Sequence, residues 1–181
     1  ERLFRPTEDG GLIDIDDETI ELADEARIGL AHRVSVGEAA AAAGSATRIV
    51  VPSASVDAPI AEVGVTVSEG KASWETAWKA AGHHIDSALP GQPGNMVITG
   101  HVSVADRSNL AVFKQLDKVA EGDTVEVYSG DQVFRYSVSK VMVVPPSAVK
   151  LLRSSTESTV TLITCTHDLK NRLVVVGTLQ G

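Results

Sequence analysis

The sequence predicts a mostly β domain, either a barrel or a sandwich, preceded by an acidic extension. From Arg48 onward, short runs rich in Val and Ile are interrupted by Pro and Gly, as in strands separated by turns. The hydrophobic fraction of 43% and the length of 181 residues suit one compact domain with its own core. Residues 1–46 hold 11 acidic and 4 basic side chains, a net of −7 within a chain total of −8. We therefore predict an extension over residues 1–46 and a domain over residues 47–181.

The acidic extension shows little hydrophobic periodicity. Residues 1–11 are expected to be irregular. Ser35 and Glu38 have the spacing of a capping box and precede five alanines, which predicts a helix that ends at Gly44. This composition fits a linker to a membrane anchor outside the chain better than a lid over a binding site. The chain has no run of about 18 apolar residues, so the sequence itself predicts no membrane span.

Two short helices and a hairpin are predicted within the domain. Trp74 and Trp78 are four residues apart, which predicts a helix over residues 73–81 with both rings in the core. Apolar spacing predicts a second short helix over residues 110–116. A β-hairpin is then expected to turn around Gly130.

Charge and histidine spacing argue against two kinds of partner. The net charge of −8 disfavours nucleic acid. His83 and His84 are adjacent, so they point in different directions on any regular element, and no HExxH or CxxC spacing accompanies them. We therefore predict no metal site and no cofactor.

The only cysteine, Cys165, ends a predicted strand. The alternating run over residues 160–164 precedes it, a polar loop follows, and Arg172 begins the next apolar run. If the two strands are neighbours, the guanidinium lies beside the thiol and favours the thiolate. A lone cysteine is more often a small buried apolar residue, so the pattern alone leaves both roles open.

Two motifs together resemble a known family. The run TLITC that ends at Cys165, followed shortly by Arg172, is similar to the signature of the sortases, the bacterial cysteine transpeptidases. The family's histidine stands in a Gly-His context after an upstream strand, and Gly100-His101 follows such a run here. The resemblance extends over about residues 48–180. It implies a closed β-barrel with a few short helices; the sortase class stays open, with class D or E favoured.

The resemblance also implies a role for each of these residues. Cys165 would be the nucleophile that forms a thioester, and His101 the general acid that then acts as base. Arg172 would hold the substrate carbonyl or the oxyanion. Thr164 would position the substrate, and Val144 and Leu151 would line the groove that binds it.

A rival base lies closer in sequence. His167 and Asp168 could form a triad with Cys165 on composition alone. Residues two apart in a turn rarely place a base on their own neighbour, so we favour His101.

The activity implied by the resemblance is transpeptidation. The enzyme would cleave a Leu-Pro-x-Thr-Gly-like sorting signal of secreted surface proteins and join the acyl group to an amine of the cell wall or of a pilin. It would work outside the cytoplasm at the cell surface, reaching the membrane only through an anchor absent from this chain. Two alternatives remain: a cysteine endopeptidase whose thioester is resolved by water, and a non-enzymatic β-barrel assembly module.

Overall fold

The computed structural model describes residues 3–6, 12–15, 44–68, 71–75, 77–103, 111–148, 153 and 156–181. Eight strands in this part of the chain close into a barrel, which confirms the predicted mostly β fold. The barrel strands are β3 (Arg48–Val51), β4 (Val56–Val63), β7 (Ala81–His84), β8 (Gly94–Thr99), β9 (Thr124–Ser129), β10 (Gln132–Val144), β11 (Ser158–Cys165) and β12 (Arg172–Leu179). Two hairpins lie outside the barrel: β1 (Leu3–Pro6) with β2 (Leu12–Ile15), and β5 (Val65–Ser68) with β6 (Lys71–Trp74). The described helices are two short 3₁₀ turns, Pro52–Ala54 and Leu116–Lys118.

The order of strands around the barrel differs from their order in the chain. Going round, the order is β10, β12, β11, β8, β7, β4, β3 and β9, and β9 pairs again with β10. All pairs are antiparallel except β8 with β11 and β4 with β7. A parallel pair needs a long crossover connection, so these two pairs join segments that are distant in sequence.

The barrel interior is filled by alternate residues of these strands, mostly Val, Ile and Leu. Among the described residues, the largest fully buried side chain is that of Tyr136, which is 1% exposed. Its hydroxyl accepts a hydrogen bond from the backbone N–H of Gly91 at 2.8 Å, and burial raises the pKa of this phenol. Gly91 has a φ of 75° and lies against the ring of Phe134, so a side chain at this position would be strained and would clash.

The predicted hairpin is confirmed, and the predicted helix over residues 73–81 is wrong. Ser129 pairs with Gln132 across the turn at Gly130. The chain around the two tryptophans instead forms strand β6, which ends at Trp74, and strand β7. Barrel pairing overrides the local helical spacing there, because β7 hydrogen-bonds to β4 on one side and to β8 on the other. Trp78 lies between the two strands and is 61% exposed, so it is not a core residue.

The second predicted helix is also replaced by turns. The described residues from Ala111 form consecutive turns and then the 3₁₀ turn Leu116–Lys118. Phe113 and Leu116 are fully buried, as their apolar spacing required. The backbone N–H of Phe113 donates to the carbonyl of His101 at 3.0 Å, which ties this segment to the residue that follows β8 and Gly100.

The extension is described only in part. The expectation that residues 1–11 are irregular is wrong for β1, which pairs antiparallel with β2. The helix predicted before Gly44 lies outside the described residues. Ala46 is 3% exposed and packs in the barrel core, and Ser129 donates to the carbonyl of Gly44 at 2.8 Å. The division between residues 46 and 47 stays a prediction.

Candidate active site

Cys165 and Arg172 lie side by side at one end of the barrel. Cys165 is the last residue of β11, Arg172 is the first of β12, and the two are direct partners in the antiparallel register. Both strand ends are where the sequence predicted them. Cys165 is 7% exposed, so the thiol is largely shielded from bulk water. The guanidinium and the thiol are therefore held on adjacent strands by backbone pairing, without reliance on a flexible loop.

The six-residue loop between these strands is fastened by Thr166. Its backbone N–H donates to the carbonyl of Asn171 at 2.9 Å, and its hydroxyl accepts from the N–H of Asn171 at 3.1 Å. The same hydroxyl donates to the carboxylate of Asp168, which also accepts from the N–H of Lys170 at 3.2 Å. These hydrogen bonds hold the pKa of Asp168 below its usual value, and the bond from Thr166 has the largest effect. The loop is thus a compact turn that fixes the start of β12.

His101 reaches the same end of the barrel from the neighbouring strand. Strands β8 and β11 run parallel, with Thr99 opposite Ile163. The pairing continues beyond β8, since the N–H of Gly100 donates to the carbonyl of Ile163 at 3.1 Å and the hydroxyl of Thr164 donates to the carbonyl of Gly100 at 2.7 Å. One residue further along each chain come His101 and Cys165. The carboxyl ends of two parallel neighbours therefore deliver the imidazole and the thiol to one edge.

The strand register also sorts the residues predicted to bind substrate. Val144 pairs with Arg172, and Arg172 pairs with Cys165, so these three side chains share one face across three strands. Thr164 belongs to the opposite, interior face and is 1% exposed. Its described contact is the hydrogen bond to Gly100, which supports the strand that carries His101. Leu151 lies outside the described residues, and all three substrate contacts stay predictions.

Gly100 allows the chain to pass between β11 and the buried ring of Phe113. A Cβ at this position would lie 2.6 Å from Cδ2 of Phe113 and 2.8 Å from Cγ2 of Val112. Real Cβ atoms do not approach other atoms so closely, and the ring cannot retreat because Phe113 is fully buried. Packing therefore requires glycine at position 100, and this close packing sets the position of the backbone of His101.

The imidazole of His101 lies against an aromatic residue that the sequence did not reveal. The ring centroids of His101 and Trp78 are 5.1 Å apart, with an angle of 31° between the ring planes. Nε2 of His101 is buried and has no hydrogen-bond partner among the described residues. Nothing in the spacing of Trp78 could have indicated this contact, because it depends on how two separate connections fold over one end of the barrel.

The rival base, His167, has an acidic partner outside the Cys165 loop. Its Nε2 lies 3.7 Å from the carboxylate of Asp117, and both side chains are more than half exposed. The carboxylate of Asp168 is engaged by Thr166 and by the backbone of Lys170. The described geometry thus gives His167 and Asp168 separate partners.

A cleft adjoins Cys165 beneath the same loop. The cleft has a volume of about 110 Å³. Its lining is Val102, Phe113, Asp117, Val143, Thr164, Cys165, Thr166, His167 and Leu173. Most of these side chains are apolar, and Asp117 and His167 contribute a carboxylate and an imidazole.

The adjacent histidines predicted not to bind metal form part of the barrel wall. His83 is fully buried, with Nδ1 3.1 Å from the carboxylate of Glu62 and Nε2 3.0 Å from the carbonyl of Ala88. Within the described residues, no group of three or more His, Cys, Asp or Glu side chains is arranged to hold a metal ion. In that same part of the chain, no helix has the length and apolarity needed to cross a bilayer.

The closed eight-stranded barrel carries a thiol, a guanidinium and an imidazole at one end. These are the groups that a cysteine-dependent enzyme requires. A model of the sortase domain matches residues 49–180, which is most of the chain. The chain belongs to the sortase family.

Individual relatives agree with this family. The chain is 26% identical to a sortase A of Bacillus anthracis over 136 residues, which covers 74% of this chain and 59% of that protein. It thus spans about three fifths of the length of this curated relative.

Solved structures show the same fold. Sortase C-1 of Actinomyces oris has a TM-score of 0.60 and 27% identity, with 84% of this chain and 82% of that chain covered. A Clostridium perfringens sortase D5 transpeptidase has a TM-score of 0.61 and 24% identity, with 90% and 95% covered. A lid mutant of sortase A from Corynebacterium diphtheriae has a TM-score of 0.63 and 24% identity, with 91% and 93% covered. The last two likenesses concern the fold alone.

Proposed function

We propose that this protein is a cysteine transpeptidase in which Cys165, His101 and Arg172 carry out the reaction. The observation that carries the proposal is the strand register. It pairs Cys165 directly with Arg172, and the parallel pairing of β8 with β11 brings His101 to the same edge. A cationic neighbour favours the thiolate over the thiol, so the arrangement supplies an activated nucleophile beside an acid–base group.

The first half-reaction would form a thioester. The thiolate of Cys165 attacks the carbonyl carbon of the scissile peptide bond, and the negative charge moves to the carbonyl oxygen. Arg172 donates hydrogen bonds to this oxyanion. The oxyanion collapses, the carbon–nitrogen bond breaks, and the imidazolium of His101 gives its proton to the leaving amine.

The second half-reaction would transfer the acyl group. Neutral His101 takes a proton from an incoming amine as the amine attacks the thioester carbonyl. The carbon–sulfur bond then breaks and Cys165 leaves as a thiolate, which restores the starting protonation states. If water attacks instead, the product is a free carboxylate and the enzyme has acted as an endopeptidase.

The substrates we propose are those of the family. The acyl donor is a Leu-Pro-x-Thr-Gly-like sorting signal cleaved after the threonine, and the acceptor is an amine of the cell wall or of a pilin. On this proposal the enzyme works outside the cytoplasm at the cell surface, with residues 47–181 as its catalytic domain and with no cofactor.

The test is to incubate the protein with a panel of sorting peptides, with and without added amines, and to read the products by mass. We expect a peptide–amine conjugate and a covalent acyl-enzyme on Cys165. The variants Cys165→Ala and His101→Ala should lose nearly all activity, whereas His167→Ala, the matched control on the loop beside Cys165, should keep most of it.

Three outcomes would contradict the proposal. A product that is always the free acid, even at high amine concentration, would favour the endopeptidase. An electrophile that leaves Cys165 unmodified would favour a non-enzymatic module. A His101→Ala protein that keeps most of its activity would remove His101 from the mechanism.

A further inference from the structure

The exposed aromatic ring next to His101 has no role in the chemistry described above. Trp78 is the most exposed of the large apolar residues in the described part of the chain, at 61%, and a tryptophan usually buries most of its surface. Its indole nevertheless stays in contact with the imidazole of His101, at a centroid distance of 5.1 Å and an interplanar angle of 31°. This distance and tilt lie within the range of favourable aromatic pairs.

We propose that Trp78 is a positioning residue for His101, holding the imidazole ring in the orientation that proton transfer requires. This inference rests on the proposed function of His101. Nε2 of His101 is buried and meets no hydrogen-bond partner in the described residues, so hydrogen bonding at this nitrogen does not fix the ring. We infer that contact with the indole, instead of a hydrogen bond, restricts the rotation of the imidazole ring.

The backbone around the two rings supports such a role. His101 is fixed through its carbonyl, which accepts from Phe113 at 3.0 Å, and through Gly100, which is bonded to β11. These bonds set where the Cα of His101 lies and leave the side-chain rotamer to other contacts. Trp78 lies three residues before Ala81, where β7 begins, and β7 pairs with β8. The indole therefore projects from the connection that leads into the strand beside β8.

An aromatic face can also stabilise the protonated imidazole. A cation over an indole ring is attracted by the electrons of its face, and tryptophan is the strongest of the aromatic residues in this respect. The imidazolium is the form that must give its proton to the leaving amine. On this proposal the indole acts on the proton-transfer step, and the binding of the peptide depends on other residues.

The kinetic test compares Trp78→Ala, Trp78→Leu and Trp78→Phe with the unchanged protein. Aromatic pairs contribute an amount that corresponds to roughly a 2- to 10-fold change in rate, so we expect kcat to fall by about this factor in the Ala and Leu variants, with KM for the peptide unchanged. The Phe variant keeps an aromatic face and should recover most of the rate. Ile85→Ala is the matched control, because Ile85 is also apolar and 52% exposed, and it should behave as the unchanged protein.

A second measurement does not depend on activity. A protonated imidazole quenches the fluorescence of an indole that it contacts, and the difference in emission between the unchanged protein and Trp78→Phe isolates Trp78. This emission should be lower at about pH 5 than at about pH 9, on either side of the usual histidine titration. The difference should disappear in His101→Ala. Lys79, Cys165 and Arg172 carry other titratable groups near the two rings. All three are present in the unchanged protein and in His101→Ala, so the comparison of these two proteins isolates the effect of the imidazole.

The outcomes separate this inference from the proposed function. Three results would each overturn the positioning role. The first is a rise in KM at constant kcat, and the second is an equal recovery of the rate by Leu and Phe. The third is a pH dependence of the Trp78 emission that is the same with and without His101. If His101→Ala is inactive while all three Trp78 variants are normal, only the positioning role fails. If His101→Ala is active, the proposed mechanism itself fails.

Discussion

Replacing Gly100 by alanine tests whether packing sets the position of His101. The new Cβ would lie 2.6 Å from Cδ2 and 2.9 Å from Cγ of Phe113, a ring that is fully buried. Overpacking of this kind costs about 1–3 kcal/mol. Gly100 does not have a positive φ, so alanine fits the backbone and lowers the entropy of the unfolded chain, which returns about 0.4–1 kcal/mol. A net loss of about 0–2.6 kcal/mol remains, and its midpoint of roughly 1.3 kcal/mol lowers Tm by about 3–5 °C for a chain of this size.

The assay is thermal unfolding together with peptide cleavage well below Tm. We expect Gly100→Ala to reduce kcat/KM even where the protein is fully folded, because the shift needed to relieve the clash is passed to His101. Gly44→Ala is the control, since its Cβ would meet its nearest neighbour, the hydroxyl of Ser129, at an ordinary 3.4 Å. Combining Gly100→Ala with Phe113→Leu should recover part of the loss, because leucine can rotate away. Unchanged Tm and activity in Gly100→Ala, or strict additivity with Phe113→Leu, would refute the reasoning.

Four further outcomes are expected. Arg172→Lys keeps the charge but loses the planar fork, so the rate of peptide cleavage should fall by a large factor, and an unchanged rate would exclude oxyanion contact. The proposed reaction needs a thiolate on Cys165 and an imidazolium on His101 together, so kcat/KM should peak within about pH 5–10, whereas a rise to a plateau would mean that no acid partner acts. The pKa of Asp168 is lowered by Thr166, so its contribution to loop stability is complete above the unfolded value and is lost as pH falls through the folded one. The protection of residues 166–171 against hydrogen exchange, measured relative to the intrinsic rate at each pH, should therefore fall below about pH 4, and Asp168→Ala should abolish this change. A chain starting at Gly44 should unfold as cooperatively as the full chain, and aggregation or loss of the transition would place the extension in the core.

The elements that the sequence predicted correctly are those decided by local pattern. The β-branched alternation before Cys165, the polar loop and the apolar run from Arg172 fix two strand ends, and the structure has both at the predicted residues. The hairpin at Gly130 follows from two alternating runs and a turn. These features depend on residues within about ten positions of one another, so the local sequence pattern is enough to predict them.

The elements that the sequence missed depend on distant partners. Trp74 and Trp78 have helical spacing, yet the strand that ends at Trp74 pairs with β5, and the strand that follows Trp78 pairs with the barrel strand β4. The free energy gained from this pairing exceeds a weak local preference for helix. The contact of Trp78 with His101 is invisible for the same reason. The order of strands around the barrel, including the two parallel pairs, is likewise set by long-range pairing that no local motif encodes.

The parallel pairing of β8 with β11 has a consequence for how the enzyme acquires activity during folding. Cys165 and Arg172 are joined by a short hairpin, and hairpins form in about 1–10 μs. The bond between Thr164 and Gly100 spans 64 positions, so His101 can join them only after a long segment of chain has closed, which carries a larger entropic cost. We expect a partly folded or still emerging chain to hold the thiol and guanidinium without the acid–base group. On the proposed mechanism such a chain could be alkylated at its cysteine but could not complete acyl transfer, which would begin only when the barrel closes.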